Sequence, residues 1–327
     1  MIRPGPPLLL VGHGTRSAAG VAEFGRLIDR VRERGRDRIA RVDGGFIELS
    51  APPLADVVSA MAATCPARTK PAGSPWEVVA VPLVLTAAGH GKGDIPAALA
   101  RERIRHPGLS CRYGRPLGPH PALQTVLEAR IDAALAGAPR AGTHVVLVGR
   151  GSTDPDANAE VAKVARLLWE GRGYDGAEFG FVSLAEPAVP AVLERTRRLG
   201  ADRVVVAPYF LFPGVLPDRI VTQSRQFAAA HQEVDLRTAA VLGDCDELAD
   251  LILERYAEAL TGDIRMNCDT CAYRVALPGF ADKVGRPQTP HVHPDDVPGH
   301  VPAGHVPAGQ VRGGLAVVPL SPHEVRP

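Results

Sequence analysis

The sequence has no excess of charge of either sign. Its 327 residues include 37 Lys and Arg and 36 Asp and Glu, so the formal net charge is only +1. Proteins that bind DNA or RNA phosphates normally concentrate Lys and Arg, and this balance therefore argues against a nucleic acid partner. The hydrophobic fraction of 45% and the charged fraction of 22% are those of an ordinary globular protein.

Long hydrophobic runs are absent near the start of the sequence. The first apolar run covers residues 8–11 before glycine interrupts it. Such a run is too short for the core of a signal peptide and for a membrane span. We therefore expect a cytoplasmic protein without a membrane partner.

Cysteines are few, and their number is odd. Five cysteines in a chain of 327 residues do not indicate a disulfide framework. Cys268 and Cys271 have the CxxC spacing that is typical of a metal or redox site.

Three segments of the first half recur in the second half in the same order. Each pair shares an apolar run and the residues that end it. The pairs are residues 8–15 and 145–152, residues 46–52 and 181–187, and residues 78–85 and 204–211. The length also favours two domains. We infer an ancestral duplication, with domains at residues 1–140 and 141–261 and a Pro- and Gly-rich, low-complexity extension at residues 262–327.

Strand and helix patterns alternate along the first half. Apolar runs at residues 8–11, 42–47 and 78–85 predict buried strands, and helical periodicity covers residues 18–34 and begins again near residue 54. This alternation predicts an α/β fold. Each half is then a doubly wound, mainly parallel sheet flanked by helices, followed by an irregular tail.

Three chemically active side chains follow the three predicted strands. His13 comes after the first, Glu48 ends the second, and His90 lies in a glycine-rich loop after the third. Open parallel sheets bind ligands at the carboxyl ends of their strands, so we expect these side chains to line one cleft. Neutral imidazole binds first-row divalent metals and accepts protons near neutral pH. Metal insertion into a macrocycle needs both abilities.

Two other interpretations of these loops stay open. The histidines can be surface groups of structural loops, with Thr15 and Asp94 capping helices. Residues 12–15 also enter a helix N-terminus, which attracts phosphate. However, the GxGxxG and GxxxxGK[ST] motifs are not complete, and neither a GxSxG elbow nor an HExxH helix is present. Nucleotide binding and the commonest hydrolase mechanisms are therefore disfavoured.

The first-half motifs resemble those of the sirohydrochlorin chelatases of the CbiX and SirB type. The matching motifs are residues 11–16, residues 46–49 with Pro52 and Leu54, and residues 82–96. The likeness covers both halves. It implies two chelatase-like domains and a class II chelatase that inserts cobalt or iron into sirohydrochlorin without nucleotide hydrolysis. The resemblance also implies that His13 and His90 are the metal-binding and proton-accepting pair and that Glu48 assists them.

The second half departs from this pattern at the corresponding loops. Arg150 stands where His13 stands in the first half, and residues 213–215 replace the region of His90. The second half is therefore not expected to bind the metal. Sirohydrochlorin carries eight carboxylates, so Arg150, with Arg16 and Lys92, is a candidate substrate-binding residue.

Two further interpretations concern this second half. Arg150 can equally be a surface residue that drifted after the duplication. Glu186 is a candidate for the cleft between the halves, on the basis of its position before Pro187.

The extension carries its own set of metal-ligand side chains. Two thiols, Cys268 and Cys271, are followed by His291 and His293. This set is compatible with a Zn²⁺ site. Long members of the resembled family have a comparable extension associated with an iron–sulfur cluster, although a four-iron cluster normally needs four cysteines. A zinc site, a cluster shared between subunits and a cobalt-buffering tail all stay open.

The predicted function is sirohydrochlorin cobaltochelatase, which makes sirohydrochlorin and a divalent metal the partners. Co²⁺ is preferred because the long tail resembles the cobalamin-pathway members. Fe²⁺ insertion for sirohaem is the alternative, and Ni²⁺ is compatible with the same ligands. A protein of another class, which only binds or delivers cobalt or nickel, is the competing hypothesis. The sequence does not distinguish a monomer from a homodimer.

Overall fold

The computed structural model describes residues 4–64, 76–262, 273 and 281–286. The four predicted ligands of the extension, Cys268, Cys271, His291 and His293, lie outside these residues.

The first half alternates strands and helices as the sequence predicts. Its strands are β1 (Leu8–Gly12), β2 (Val42–Phe46), β3 (Trp76–Pro82) and β4 (Leu109–Tyr113). Its helices are α1 (Ala18–Gly35), α2 (Leu54–Thr64), α3 (Ile95–Arg105) and α4 (Pro121–Leu135), and a π-helical turn (His90–Asp94) leads directly into α3.

The second half repeats this order of elements. Its strands are β5 (Thr143–Gly149), β6 (Gly176–Phe181), β7 (Arg203–Pro208) and β8 (Asp235–Thr238). Its helices are α5 (Pro155–Trp169), α6 (Val189–Arg198), α7 (Val215–Ala230) and α8 (Asp246–Thr261). A short 3₁₀ turn (Ala281–Lys283) is described beyond them.

The two four-stranded sheets have the same topology. The strand orders are β2-β1-β3-β4 and β6-β5-β7-β8, and every neighbouring pair is parallel. In equivalent loops Leu49 and Leu184 have φ angles of 63° and 60°. The predicted α/β fold with two similar parallel sheets is confirmed. The shared topology supports the duplication, while the boundary near residue 140 stays a prediction.

Side chains alternate between two cores along each central strand. Leu8 and Leu10 of β1 face a central core to which both sheets contribute. Leu9 and Val11 face a separate core beneath α2 and α3. In the second half, Val146 and Val148 contribute to an equivalent outer core beneath α6 and α7. Because helices cover both faces, the strands are apolar throughout, as is typical of parallel sheets.

The last helix of each half packs on the other half. Helix α8 lies against α1, β3 and β4, and α4 lies against β7, β8 and α5. Arg255 of α8 is 1% exposed and donates to the backbone oxygens of Pro116 and Leu117 in the first half. Each half therefore needs a helix of the other to bury its central face.

None of the helices that the structure describes combines the length and the apolar character needed to cross a bilayer.

Candidate metal-binding active site

The exits of β1 and β2 are joined by backbone contacts that bring their side chains together. The amide of Ile47 donates to the oxygen of Gly12, and the amide of Glu48 donates to the oxygen of His13. Gly14 adopts a φ of 122°, and a Cβ at this position would overlap the Glu48 oxygen. Only glycine fits this conformation and this close approach. The glycine after His13 therefore lets the backbone at the exit of β1 pass close to the backbone of Glu48.

His13 and Glu48 face each other at this edge of the first sheet. Nε2 of His13 lies 2.7 Å from Oε1 of Glu48, and the two side chains are 23% and 4% exposed. Two ligands at right angles, each about 2.1 Å from one metal ion, lie about 3 Å apart. The two atoms are therefore already close to the spacing of neighbouring ligands on one divalent cation.

His90 is positioned by the π-helical turn that precedes α3. Nδ1 of its ring lies 2.6 Å from Oδ2 of Asp94, one turn later, and the two side chains are 14% and 8% exposed. Short π-helical segments are frequent at functional sites. From the sequence alone, Asp94 is predicted only as a helix cap. The spacing of four residues on a helical turn was the signal that could have identified it as the partner of His90.

The structure brings the two histidines into contact. Their ring centroids are 4.0 Å apart, and the ring planes meet at 65°. His13, Glu48 and His90 thus lie at one edge of the first sheet, as the strand-end argument predicts. Their catalytic roles stay predictions.

Arg150 reaches this edge from the exit of β5 in the second half. Its Nη1 donates a hydrogen bond of 2.9 Å to Nε2 of His90. The loss of hydration lowers the pKa of Arg150, while the nearby Glu48 carboxylate raises it. Since a guanidinium stays protonated in proteins, Arg150 supplies one positive charge to the site. The second half therefore contributes a side chain to the first half's histidine pair.

Lys92 lies in an ion-pair cluster between the halves. Its Nζ is 2.7 Å from Oδ2 of Asp154 and 3.2 Å from Oδ2 of Asp156, and the three side chains are 12%, 6% and 1% exposed. Nearby, the amide of Ala87 donates to the buried Glu160 carboxylate at 2.9 Å. These contacts fix the His90 loop to the start of α5. The sequence does not indicate these three carboxylates, because their partners are more than 60 residues away in the chain.

The remaining predicted substrate ligands lie at the surface. Arg16 is exposed in the loop between β1 and α1. Glu186 is also exposed, and its Oε2 accepts a 2.7 Å hydrogen bond from the amide of Ala188, just before α6. The structure does not bring Glu186 into a described contact with the histidines, and the substrate-binding roles of both residues stay predictions.

Within residues 4–64, 76–262, 273 and 281–286, no group of three or more His, Cys, Asp and Glu side chains is arranged as a preassembled metal site. In the described arrangement, the ring nitrogens of the pair contact Glu48, Asp94 and Arg150 instead. A metal ion would have to replace some of these contacts with its own.

Both halves of the chain are similar in sequence to known proteins. The CbiX family model matches residues 7–134 and 144–259, which cover both halves. The sirohydrochlorin cobaltochelatase of Priestia megaterium is 34% identical over 83% of this chain and 85% of its own length. The sirohydrochlorin ferrochelatase of the same organism is 29% identical over 75% of this chain and 87% of its own length.

The fold also matches a solved structure. SirB from Bacillus subtilis with Fe³⁺ superposes with a TM-score of 0.66 at 24% identity, covering 80% of this chain and 99% of that one. At this level of identity the match supports the fold alone. The CbiX family model covers both sheets and the histidine loops, and this chain therefore belongs to the CbiX family.

Proposed function

We propose that this protein is a sirohydrochlorin chelatase and that Co²⁺ is the metal it inserts. The observation that carries the proposal is the contact between the His13 and His90 rings, 4.0 Å apart, beside the Glu48 carboxylate. The two relatives described above are named as a sirohydrochlorin cobaltochelatase and a sirohydrochlorin ferrochelatase, and these names support the same substrate for this chain.

The first task of such an enzyme is to hold the metal without trapping it. His13, His90 and Glu48 offer two imidazole nitrogens and one carboxylate oxygen, ligands that suit first-row divalent metals. Three protein ligands leave coordination positions for the nitrogens of the macrocycle, as open catalytic sites do. Asp94 orients the His90 ring through Nδ1, in the manner of carboxylates that support metal-binding histidines.

The second task is to accept the two protons that the macrocycle loses when the metal enters. Imidazole is the side chain that exchanges protons most readily near neutral pH. His13 lies 2.7 Å from Glu48, and the negative charge of this carboxylate stabilises an imidazolium. We therefore assign the first proton to His13 once the metal has left it.

Substrate binding is assigned to cations at the mouth of this site. Arg150 stands beside the histidines, and Arg16 is exposed at the exit of the first sheet. Guanidinium groups bind carboxylates in a bidentate manner, which suits a macrocycle with many carboxylates. Lys92 is nearly buried and already paired with two carboxylates, so we assign it to positioning the His90 loop instead. Glu186 stays a predicted cleft residue.

Fe²⁺ insertion is the second candidate, because the ferrochelatase relative aligns with most of this chain. The extension adds a second proposed site, in which Cys268, Cys271, His291 and His293 bind Zn²⁺ or contribute to an iron–sulfur cluster.

The function is tested by mixing the purified protein with sirohydrochlorin and Co²⁺ under anaerobic conditions. We expect the visible spectrum of the macrocycle to change much faster than in the reaction without protein. His13→Ala and His90→Ala should each abolish most of this acceleration and leave the far-ultraviolet circular dichroism unchanged. His231→Ala, at the end of α7, is the matched control and should retain the wild-type rate.

The same assay with Fe²⁺ decides between the two metals by comparing kcat/KM. If the protein binds Co²⁺ tightly but the macrocycle is metallated no faster than in buffer, the chain is a metal-binding or delivery protein and the proposed enzyme activity is wrong.

A further inference from the structure

The contact between Arg150 and His90 determines which ring nitrogen of His90 carries its proton. An arginine side chain has only N–H donors and remains protonated. Nε2 of His90, 2.9 Å from Nη1 of Arg150, must therefore be the acceptor and carries no proton. The proton of the neutral ring is then on Nδ1, which donates to the Asp94 carboxylate 2.6 Å away.

In this arrangement the lone pair of His90 Nε2 already accepts a hydrogen bond from Arg150. Nε2 is the nitrogen that remains for a metal, because Nδ1 is held by Asp94. The lone pair of Nε2 can serve the guanidinium or a metal ion, but not both at once. Electrostatic repulsion between the guanidinium and a divalent cation adds to this competition.

We infer that Arg150 is a positioning residue that competes with the metal for Nε2 of His90 and thereby keeps the bound metal transferable. The inference rests on the proposed function, in which His90 holds the metal before insertion. When the metal binds, Nε2 exchanges its hydrogen bond for a bond to the metal and one water leaves the metal. Arg150 keeps its proton throughout.

The surroundings of Arg150 allow it to move away and to return. Arg150 is exposed at the exit of β5, between Gly149 and Gly151, and the hydrogen bond described for its side chain is the one to His90. After the metal has entered the macrocycle, the guanidinium can again donate to Nε2. This return blocks recapture of the metal, and it accounts for an arginine at the position where the first half has His13.

The inference is tested by measuring Co²⁺ binding to the full chain without any tetrapyrrole, in competition with a chromophoric chelator. Arg150→Met removes the charge and the donors but keeps an unbranched, flexible side chain. We expect the dissociation constant of the site to fall about tenfold, the equivalent of one hydrogen bond to a charged group. Arg166→Met, an exposed arginine of α5 in the same half, is the control and should leave the constant unchanged.

A double-mutant cycle separates competition at His90 from a general loss of positive charge. The gain in Co²⁺ affinity from Arg150→Met should vanish when His90→Ala is also present, because the lone pair of Nε2 is then absent. The extension is common to all four proteins, so any Co²⁺ it binds cancels in the comparison. Arg150→Gln serves as a second variant if Arg150→Met does not fold.

Two outcomes would overturn the inference. One is unchanged or weaker Co²⁺ binding in a folded Arg150 variant, and the other is a gain that persists without His90. In the turnover assay at saturating sirohydrochlorin, where weaker macrocycle binding has no effect, the variant should show a lower KM for Co²⁺ together with a lower kcat, since a tighter site releases the metal more slowly. The binding experiment contains no macrocycle, so its result stands even if sirohydrochlorin is not the substrate. If the wild-type protein does not metallate sirohydrochlorin, that result alone contradicts only the proposed function.

Discussion

The ion pair of Lys92 with two carboxylates makes Lys92→Met the most informative test of how the halves are held together. Nζ contacts Asp154 at 2.7 Å and Asp156 at 3.2 Å, and no side chain of the three is more than 12% exposed. Removing one partner of a buried ion pair typically costs about 3 to 5 kcal/mol, because the other charge is left buried and uncompensated. Here the substitution leaves two carboxylates.

The position of these carboxylates at the start of α5 reduces the expected loss. Oδ1 of Asp154 accepts a 3.1 Å hydrogen bond from the amide of Asp156 and caps the helix. Negative charge in the first turn gains about 0.3 to 1 kcal/mol from the helix dipole for each group. We therefore expect Lys92→Met to lower the free energy of unfolding by about 3 kcal/mol, near the lower end of the range for buried pairs.

The measurement is urea unfolding followed by circular dichroism, with the slope of the transition unchanged. Lys163→Met, an exposed lysine of α5, is the matched control, and its effect should stay within about 0.5 kcal/mol. Adding Asp154→Asn and Asp156→Asn to Lys92→Met should restore about 1 kcal/mol or more, because the unpaired charges are then removed.

A loss of less than about 1 kcal/mol in Lys92→Met, which is the range of an exposed ion pair, would contradict a buried pair that holds the halves together. A normal unfolding free energy combined with a raised KM for the macrocycle would instead favour the substrate-binding role that the sequence analysis predicts for Lys92.

Two further predictions rest on the structure and a third on the sequence. Gly14→Ala should destabilise the protein by about 3 kcal/mol or more in urea unfolding and abolish turnover, because the new Cβ overlaps a backbone oxygen and the positive φ is strained. Gly137→Ala is the control, because its φ is 90° but no atom lies within 4 Å of the new Cβ. This control should lower the free energy of unfolding by only about 1 kcal/mol. Burial lowers the pKa of His120, so its neutral form is favoured in the folded state and the unfolded state binds more protons as the pH falls. Stability should therefore fall from pH 7.5 towards pH 5.5, and less so in His120→Asn, which keeps a helix-capping side chain without titrating; an equal fall in both proteins would contradict this. Replacing Cys268 and Cys271 with alanine should leave much of the cobalt-insertion rate, and a complete loss would show that the extension takes part in catalysis.

Local patterns in the sequence were sufficient to predict the fold and the polar residues at the strand ends. Apolar runs of strand length and helical periodicity each describe the burial of one element, and burial is a property that neighbouring residues encode together. The repeated order of these patterns predicted two similar parallel sheets, and the glycines beside His13 and His90 indicated that both side chains leave the strand ends uncovered. The position of Glu48 followed from the same rule for parallel sheets.

The partners of these residues could not be obtained in this way. Arg150 lies 60 residues from His90 in the chain, and Asp154 lies 62 residues from Lys92. No periodic pattern connects residues on different sheets, because such contacts depend on how two folded sheets are oriented towards each other.

The sequence by itself therefore determined which elements form, their parallel arrangement and the edge at which His13, Glu48 and His90 lie. Only the tertiary structure decided that α4 and α8 are exchanged between the halves and that Arg150 donates to His90. The physical reason is that burial patterns act within one helix or strand, whereas a hydrogen bond or an ion pair between the halves requires atoms placed within about 3 Å by the packing of the whole molecule.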